Sequence, residues 1–517
     1  MRTTWMRSIV AAILLIAVAG CSGGSADGGS ASGEADPNAT LRIGALVVPS
    51  TLDPHQETSI GFRHALFPIW DTLFQLKNDK TVETLVAKEF AYNKAGDELT
   101  IVIRDGVTFH DGTAVDAAAV KGSLDRARGE SSAPGISSRL SNISGIAIKD
   151  PSSIVLKLKT PDATLPATLA GMAGAIINPK FLDEDLTKAP AEAGSGPYIV
   201  TSFKPGEEVQ FERAKEQWRP EAAKVKTMII RAYPDSNAGV NAVETGELDM
   251  VNARVPIDVA EGVAKRNSNL KFFAFDTDAW GPALSFRNTV EPFDDKRVRQ
   301  ALLYAMDRDL LAEKVVGDKC EVTYQWFSEG SPAYIPDFKN PFPHDPAKAK
   351  ALLEEAGVGN GFSFEVLYPS GFPVEQRVLE SLKQMYAEVG VEITLMPVAI
   401  AELSARFTQK RDASMLTTAA AEGDPLLRIE DFLTGRFDLA GSEVDDFSAA
   451  LTAARAPGNG RAAKLQEVNE LATESALVTP ICIQKNRWLA SDKVTGLDDM
   501  RDTWTGIFNP LYIGVSK

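Results

Sequence analysis

The sequence is poor in the residues on which most catalytic and metal sites depend. Its 517 residues include four histidines and three cysteines. It lacks the HExxH and CxxC spacings of zinc sites, the GxxxxGK[ST] phosphate loop, a GxGxxG turn after a strand and the GxSxG elbow of hydrolases. His110, beside an Asp-Gly turn, is predicted to be a hydrogen-bonded turn residue. We therefore predict that the protein is not an enzyme and uses no metal and no cofactor.

Positive charge is also scarce. The chain has 54 Lys and Arg residues against 70 Asp and Glu residues, a formal net charge of -16 at pH 7. A surface of this sign excludes nucleic acid as a partner and disfavours an anionic membrane surface. The 44% hydrophobic and 24% charged content is typical of a soluble globular protein, and the length is sufficient for two or three lobes.

The N-terminus has the organisation of an export signal. The apolar run at 8–20 follows two arginines, and it is too short to span the hydrocarbon core of about 30 Å comfortably. Residues 18–21, Val-Ala-Gly-Cys, resemble the lipobox of bacterial lipoproteins. That resemblance implies a signal peptide at 1–20, cleavage before Cys21 and a lipid on its sulfur. Residues 21–40 are Gly/Ser-rich and predict a flexible tether.

Two further cysteines, Cys320 and Cys482, remain in the globular part. Outside the cytoplasm an even pair permits one disulfide. Two buried thiols that pack as small hydrophobic groups are the alternative. The sequence leaves both open, because a disulfide requires the two Cα atoms to lie within about 7 Å of each other.

Strands and helices alternate after residue 40. Residues 99–106 and 153–160 are rich in β-branched side chains and predict strands. Apolar side chains at i, i+3, i+4, i+7 and i+8 predict a helix at 294–311, with Asp294 or Asp295 as its N-cap.

A βαβ unit is predicted in the second half of the chain. A helix at 345–357, from Asp345 to Gly357, precedes it. A strand at 362–368, a helix at 374–390 and a strand at 391–398 follow with short connections. This order implies parallel strands with a right-handed crossover, so the fold class is α/β, in at least two lobes.

Several stretches, spread over nearly the whole mature chain, together resemble family 5 of the bacterial extracellular solute-binding proteins, which are the dipeptide- and oligopeptide-type receptors of ABC importers. They are TLDPH (51–55), LTIVIRDGVTFHDGTAVDAAAVKGSLDRA (99–127), GSGPYIV (194–200), NAVETGELDM (241–250), FRNTVEPFDDKRVRQALLYAMDRD (286–309), HDPAKAKALLEEAG (344–357) and TPICIQKNRW (479–488). GSGPY is interpreted as scaffold, with glycine where the chain crosses tightly.

The resemblance implies a clamshell like that of periplasmic binding proteins, which closes around a ligand by a hinge motion. Lobe one is expected at 41–283, with an extra subdomain inserted at about 73–193. Lobe two is expected at 284–483, and residues 484–517 are expected to return to lobe one.

The resemblance implies that the protein captures a small solute and acts as a monomer. Its expected location is the outer face of the cytoplasmic membrane, on the periplasmic or extracellular side. The lipid anchor would be its only membrane attachment. The solute would pass to ABC permease subunits that work with a separate ATPase. A peptide is the first interpretation of the ligand. The alternative ligand is a sugar, an opine-like compound or another small organic molecule. The alternative functions are a tethered receptor that does not transport and, less favoured, a secreted hydrolase.

One loop bears on the choice of ligand. In peptide-binding members of the family, an aspartate on a loop of lobe two holds the α-ammonium. A tryptophan lies three residues before this aspartate and a proline four residues after it. In TTAAAEGDP (417–425), counting back from the terminal proline places Ala421 at that aspartate and Thr418 at that tryptophan. Either Glu422 or Asp424 takes the role through a shifted loop, or the ligand lacks a free α-ammonium.

Two tryptophans are further candidates for ligand contact. Trp280 lies where the chain is expected to pass between the lobes, and Trp326 lies in a Gly/Pro-rich loop. Aromatic faces suit apolar or sugar-like ligand surfaces. The alternative is that each ring packs inside its own lobe.

Overall fold

The computed structural model describes residues 34–57, 60–252, 255, 257–317, 320–419, 421–498, 500 and 505–517. The predicted signal peptide, Cys21 and most of the predicted tether lie outside these ranges. Within them, no helix has the length and apolar content needed to cross a bilayer.

The strands of the described residues are β1 (Thr40–Ala45), β2 (Phe74–Leu76), β3 (Val82–Thr84), β4 (Ala87–Tyr92), β5 (Glu98–Ile103), β6 (Ile143–Asp150), β7 (Ser153–Leu158), β8 (Tyr198–Lys204), β9 (Glu208–Arg213), β10 (Thr227–Ala232), β11 (Met250–Asn252), β12 (Leu270–Phe275), β13 (Trp280–Phe286), β14 (Cys320–Val322), β15 (Phe362–Pro369), β16 (Val391–Val398), β17 (Ser414–Ala419), β18 (Val478–Pro480), β19 (Cys482–Gln484), β20 (Asn486–Ser491), β21 (Val494–Thr495) and β22 (Gly514–Val515).

The α-helices of the same residues are α1 (Arg63–Leu66), α2 (Ala117–Arg128), α3 (Pro134–Ser137), α4 (Leu165–Thr168), α5 (Ser236–Glu244), α6 (Ile257–Arg266), α7 (Lys296–Ala305), α8 (Arg308–Leu310), α9 (Pro346–Glu355), α10 (Pro373–Ala387), α11 (Ile400–Ala405), α12 (Pro425–Leu433), α13 (Val444–Arg455) and α14 (Arg461–Glu474).

Two mixed sheets define the two lobes. The first has seven strands in the order β12-β20-β11-β1-β10-β9-β8, with β1 parallel to β10 and β11. The second has the order β14-β19-β13-β17-β15-β16, and β18 also pairs with β13. An antiparallel four-stranded sheet, β4-β5-β7-β6, is inserted between β1 and β8 of the first lobe. The α/β class and the two-lobed architecture predicted from the sequence are confirmed.

The predicted boundary between the lobes needs a correction. A division at 283/284 falls inside β13, and the whole of that strand pairs within the second sheet. The chain therefore leaves lobe one between β12 and β13, at residues 276–279. It returns between β19 and β20, at residue 485, where the predicted return at 484 is one residue early. β13 is buried along its entire length, within lobe two.

The two chain passes between the lobes are joined to each other. Gln484 donates its N–H to Ala279 O at 3.1 Å, and Thr277 donates its hydroxyl to Gln484 O. Lys485 also forms an ion pair with Asp276. The connection between the lobes is therefore a hydrogen-bonded pair of segments, which we call the hinge ribbon (276–279 and 484–485).

The local predictions agree with the structure where caps mark the helix ends. Asp295 caps α7 and Asp345 caps α9, as expected from the sequence. β15 and β16 are parallel and flank α10, so the βαβ unit is confirmed. The helix predicted at 294–311 instead stops at Ala305, because Asp307 caps a new short helix.

Cys320 and Cys482 form a disulfide between neighbouring strands of the second sheet, β14 and β19. Their Cα atoms are 5.5 Å apart. The bond closes a loop of sequence separation 162 and lies close to the return of the chain to lobe one.

Two of the resembling stretches are explained by buried ion pairs in lobe one. In TLDPH, Asp53 receives two hydrogen bonds from Arg126 of α2, at 3.0 and 2.6 Å, and Arg126 also contacts His55 Nδ1 at 3.1 Å. These bonds attach the loop to the inserted subdomain.

In GSGPY, Ser195 donates its hydroxyl to Asp71 at 3.0 Å. Asp71 also accepts from Trp218 Nε1 at 2.8 Å and pairs with Arg219. A Cβ at Gly196 would lie 2.5 Å from Pro68 O, so the tight crossing predicted for this stretch requires glycine. His110 is also bonded as expected, with its two ring nitrogens 2.6 and 2.7 Å from the carbonyl oxygens of residues 191 and 196.

Candidate functional site

The loop between β17 and α12 belongs to lobe two and projects against lobe one. Ala421 is fully buried and donates its N–H to Thr505 O at 2.7 Å. A Cβ at Gly423 would lie 2.8 Å from Leu76 Cδ2 and 3.2 Å from Ala167 Cβ, both in lobe one. The loop singled out by the sequence therefore lies in the gap between the lobes, and the lobes are closed upon it.

Glu422 on this loop is held by two arginines of the opposite lobe. Its carboxylate oxygens lie 3.0 Å from Arg139 Nη2 and 3.6 Å from Arg63 Nη2. The Glu422 side chain is only 10% exposed, and those of Arg63 and Arg139 are 14% and 24% exposed. This three-residue cluster, which we call the interlobe triad, is a partly desolvated ionic contact between the lobes.

The attraction between the charges of the triad outweighs the effect of burial on the pKa of Glu422. Burial raises the pKa of Glu422, but the positive charges of Arg139 and Arg63 outweigh that effect and hold its pKa at about 2. The Glu422 charge in turn raises the pKa of Arg139 against the cost of burial. Glu422 and Arg139 are therefore both ionised at neutral pH.

Asp424 has a structural role within lobe two. Its side chain accepts the N–H of Leu426 at 3.0 Å and so caps α12. Both of its oxygens also accept hydrogen bonds from Arg461, each at 2.8 Å. In this closed form the Asp424 carboxylate is therefore paired within its own lobe, and its contact with a ligand ammonium stays a prediction.

Behind the loop lies an arginine surrounded by aromatic rings. The Arg428 guanidinium is 5.0 Å from the ring centre of Trp280 and 5.2 Å from that of Phe327. Arg428 is 2% exposed, its Nε has no hydrogen-bond partner, and its one hydrogen bond among the described residues is a 3.4 Å contact with Trp326 O. Burial lowers its pKa, and the charges of Asp278 and Glu422 oppose that change.

Trp280 and Trp326 pack into the interior of lobe two. Both are fully buried, and their ring centres are 5.0 Å apart in an edge-to-face arrangement. Trp280 donates its Nε1–H to Trp326 O at 2.7 Å. In this closed arrangement neither ring is exposed, so their contact with a ligand stays a prediction, as does that of half-buried Thr418.

Two further polar bridges join the inserted subdomain region to lobe two. Arg455 pairs with Asp162 at 2.9 Å, and Ala163 donates its N–H to Arg455 O at 2.7 Å. Lys80 donates to Ser328 Oγ at 3.1 Å and to Glu329 O at 3.0 Å, and it lies 3.7 Å from Asp278 of the hinge ribbon. These contacts, the interlobe triad and the hydrogen bond from Ala421 to Thr505 join the lobes in the closed form.

Sequence reasoning located the loop but not its arginine partners. Arg139 and Glu422 are 283 positions apart, and nothing local to either residue indicates that they meet. The signal that could have found them is the presence of arginines in segments of lobe one that the fold brings to the gap. Among the described residues, no group of three or more His, Cys, Asp or Glu side chains could hold a metal ion.

Comparison with known families matches residues 81–435 to the profile described as bacterial extracellular solute-binding proteins, family 5 Middle. Among curated proteins, the chain is similar to the glutathione-binding protein GsiB of Escherichia coli K12, with 27% identity over 472 residues covering 88% of this chain and 91% of that protein.

Two solved structures have the same fold. The binding protein AgaA of A. tumefaciens R10, in complex with agropinic acid, superposes with a TM-score of 0.81 at 23% identity, covering 93% of this chain and 99% of that one. The ABC transporter-associated periplasmic binding protein DppA of Helicobacter pylori, in complex with the peptide STSA, gives 0.80 at 20% identity, covering 93% and 98%.

Proposed function

Because the chain belongs to family 5 of the bacterial extracellular solute-binding proteins, we propose that it captures a small solute between its two lobes and delivers it to the permease of an ABC importer. The observation that carries this proposal is the closed interlobe gap, where a loop of lobe two inserts against lobe one through Gly423 and Glu422. Solute enclosure by hinge closure requires such a gap.

The proposal describes binding without catalysis. Within the described residues, the charged groups that meet at the gap are arginines, Lys80 and carboxylates. Asp424 and Glu422, the carboxylates nearest the loop, are both ion-paired. Neither is placed as a base beside a nucleophile. The energy for transport would come from the ATPase of the importer, and the receptor would act as a monomer.

A peptide remains the first candidate for the ligand, and a non-peptide organic molecule is the second. DppA of H. pylori supports the first through its bound peptide, and AgaA supports the second through agropinic acid. GsiB, named for binding the peptide-like molecule glutathione, is compatible with either. The departures at Ala421 and Thr418 from the peptide-binding loop pattern favour a ligand that is held without the usual contact to its α-ammonium.

Replacing Gly423 with Leu is expected to weaken solute binding by about tenfold or more, which is about 1.4 kcal/mol of binding free energy. The new side chain would meet Leu76 and Ala167 and hold the lobes apart, so the closed form would be less populated. The measurement is a thermal-shift screen of a peptide, glutathione, sugar and opine panel, followed by calorimetry on each hit. A ligand at a hundred times its Kd should stabilise the wild type by about 2.7 kcal/mol.

Gly145→Leu is the matched control, because nothing lies within 4 Å of a Cβ at that position and its backbone is extended on β6. It should bind like the wild type. If no solute stabilises the wild type, or if both variants bind equally well, enclosure between the lobes is not the function of this gap.

Membrane tethering through Cys21 is the second part of the proposal, supported by residues 18–21 of the sequence. Cys21→Ser is expected to appear as uncleaved precursor or in the medium, because serine removes both the sulfur that would carry the lipid and the cysteine before which cleavage is expected. Membrane fractionation with metabolic palmitate labelling would measure it. Ser22→Ala, which leaves the cysteine in place, should remain membrane-bound and labelled. Labelled, membrane-retained Cys21→Ser would disprove lipid attachment at this residue.

A further inference from the structure

Lobe two contains a second concave site, close to the hinge ribbon. It is a cavity of about 200 Å³ between β14, β19 and the loop that follows β14, residues 323–338. All of its lining residues belong to lobe two, and none comes from the loop at 417–425. The cavity is therefore separate from the gap between the lobes.

The charge that lines this cavity is negative. Among the residues that the structure describes, Glu321 and Asp337 line it, and no lysine, arginine or histidine does. No described residue forms an ion pair or a hydrogen bond with either carboxylate. Both residues are exposed, so a cation can reach them from solution. The two carboxylates thus leave the cavity with negative charge that its own lining does not balance.

Two basic side chains contact the wall of the cavity from behind. Arg308 is 5% exposed, and its guanidinium lies 5.3 Å from the ring centre of Tyr324. Lys80 of lobe one donates to Ser328 Oγ at 3.1 Å, and its charge is balanced by Asp278 at 3.7 Å. Neither base is part of the lining, so neither occupies the place of a cation inside the cavity.

Aromatic rings form much of the remaining lining. They are those of Tyr324, Phe327, Tyr334 and Phe338. The protein's own arginines already lie against two of them, since Arg428 is 5.2 Å from the ring centre of Phe327 and Arg308 packs on Tyr324. The other two residues are half-buried. A cation above an aromatic ring is attracted by the negative charge of the ring face.

The walls of the cavity are held in place without a ligand. The Gln325 side chain donates to Ile335 O and accepts the N–H of Ile335, each at 2.9 Å, so it ties the loop to itself. Gln466 of α14 donates to Tyr334 O at 2.8 Å. The disulfide joins β14 to β19 next to Glu321. A site that is already formed loses less conformational freedom when a ligand binds.

We propose that this cavity binds a small organic cation, an ammonium group that carries alkyl substituents, with the carboxylates of Glu321 and Asp337 as its counter-charges. The rings of Tyr334 and Phe338 would contact the alkyl groups. The volume is smaller than that of pockets for drug-sized molecules, so the ligand has about the size of choline. The inference goes beyond solute capture between the lobes, because lobe two alone bounds this cavity.

Calorimetric titration of the purified protein, with its disulfide intact, tests the site with choline chloride as the probe. We expect a Kd below about 1 mM. The tert-butyl analogue of choline, in which carbon replaces the ammonium nitrogen, has the same shape without the charge and should bind about tenfold more weakly or less. The double variant Glu321→Gln with Asp337→Asn keeps the size of both side chains and should lower the affinity for choline by about tenfold.

The double variant Glu329→Gln with Glu216→Gln is the matched control. It changes the net charge by the same amount at two exposed positions that do not line the cavity, and it should bind choline as the wild type does. Tyr334→Leu keeps an apolar side chain but removes the ring, and it should weaken choline binding about threefold. Circular dichroism of each variant checks that it is folded.

Three results would overturn the inference. They are no choline binding by the wild type at ten times the expected limit, equal affinity for choline and its neutral analogue, and equal affinity for choline in the wild type and the Glu321→Gln, Asp337→Asn variant. Equal weakening in the charge-matched control would also overturn it, because net charge rather than this cavity would then attract the cation. None of these results bears on solute capture in the gap, which the thermal-shift panel tests separately.

Discussion

Asp71→Ala is expected to lower the free energy of unfolding of lobe one by about 3–5 kcal/mol, the usual cost of removing one partner of a buried ion pair. Asp71 is fully buried and accepts from Trp218, Ser195 and Arg219. Its removal leaves the Arg219 guanidinium, 6% exposed, without a counter-charge and deprives the other two donors of their acceptor. Urea unfolding followed by tryptophan fluorescence measures the loss.

Two further variants separate the charge effect from simple loss of packing. The double variant Asp71→Ala with Arg219→Met should be more stable than Asp71→Ala alone, because no buried charge is left unpaired. Asp79→Ala removes an exposed ion pair with Lys77 and should leave the free energy of unfolding nearly unchanged. A loss below about 1 kcal/mol for Asp71→Ala would show that this network does not stabilise the lobe.

The second large effect is a loss of stability in mild acid. Burial lowers the pKa of His64 to about 4, and burial followed by the Arg126 charge lowers that of His55 to about 3, against the ordinary value of 6.5. Both rings are therefore neutral in the folded protein, while in the unfolded chain they take up protons as the pH falls below 6.5.

In this window the unfolded state binds up to two more protons than the folded state does. Lowering the pH therefore lowers the free energy of the unfolded state relative to that of the folded state. The free energy of unfolding should decrease by about 4 kcal/mol between pH 7.5 and 5, with a limiting slope of about 2.7 kcal/mol per pH unit. Nearly all of this stability is present above pH 6.5 and is lost progressively below it. Urea titrations at half-unit pH steps would measure the slope.

Variants assign the slope to the two rings. His64 stacks on Phe508, with ring centres 5.1 Å apart, so His64→Phe keeps an aromatic ring there and should halve the slope. His344→Gln changes an exposed histidine next to the cap of α9 and should leave the slope unchanged. An unchanged slope in His64→Phe would mean that His64 does not titrate as its burial requires.

Much of the local structure could be predicted because it is encoded over short distances. α9 has its N-cap, its first-turn proline and its terminal Gly357 in one stretch, and the structure ends the helix where these residues indicate. The unit β15-α10-β16 follows from alternating periodicities and short joints. The helix at 294–311 was predicted too long because Asp307 offers a second cap that competes with continuation.

The contacts in the gap could not be predicted from one sequence. The loop at 417–425 was identified through its departure from a family pattern, which says what is missing but not what replaces it. Arg63 and Arg139 approach Glu422 only because two sheets and an inserted subdomain place them there. Whether a buried charge is paired is a property of the folded chain, so the neutralisation of Asp424 by Arg461 was equally inaccessible.

The hinge ribbon has a consequence for how the protein would move. Its two adjacent chain passes are cross-linked by the hydrogen bond from Gln484 to Ala279 and the ion pair of Lys485 with Asp276, so we expect them to bend as one strip. We therefore expect opening to follow one soft coordinate, in which the interlobe triad, the Arg455–Asp162 pair, the Lys80 contacts and the hydrogen bond from Ala421 to Thr505 break together. A single distance between the lobes should therefore be enough to follow the whole opening movement. Forms that are open on only one side of the gap should not be separately populated.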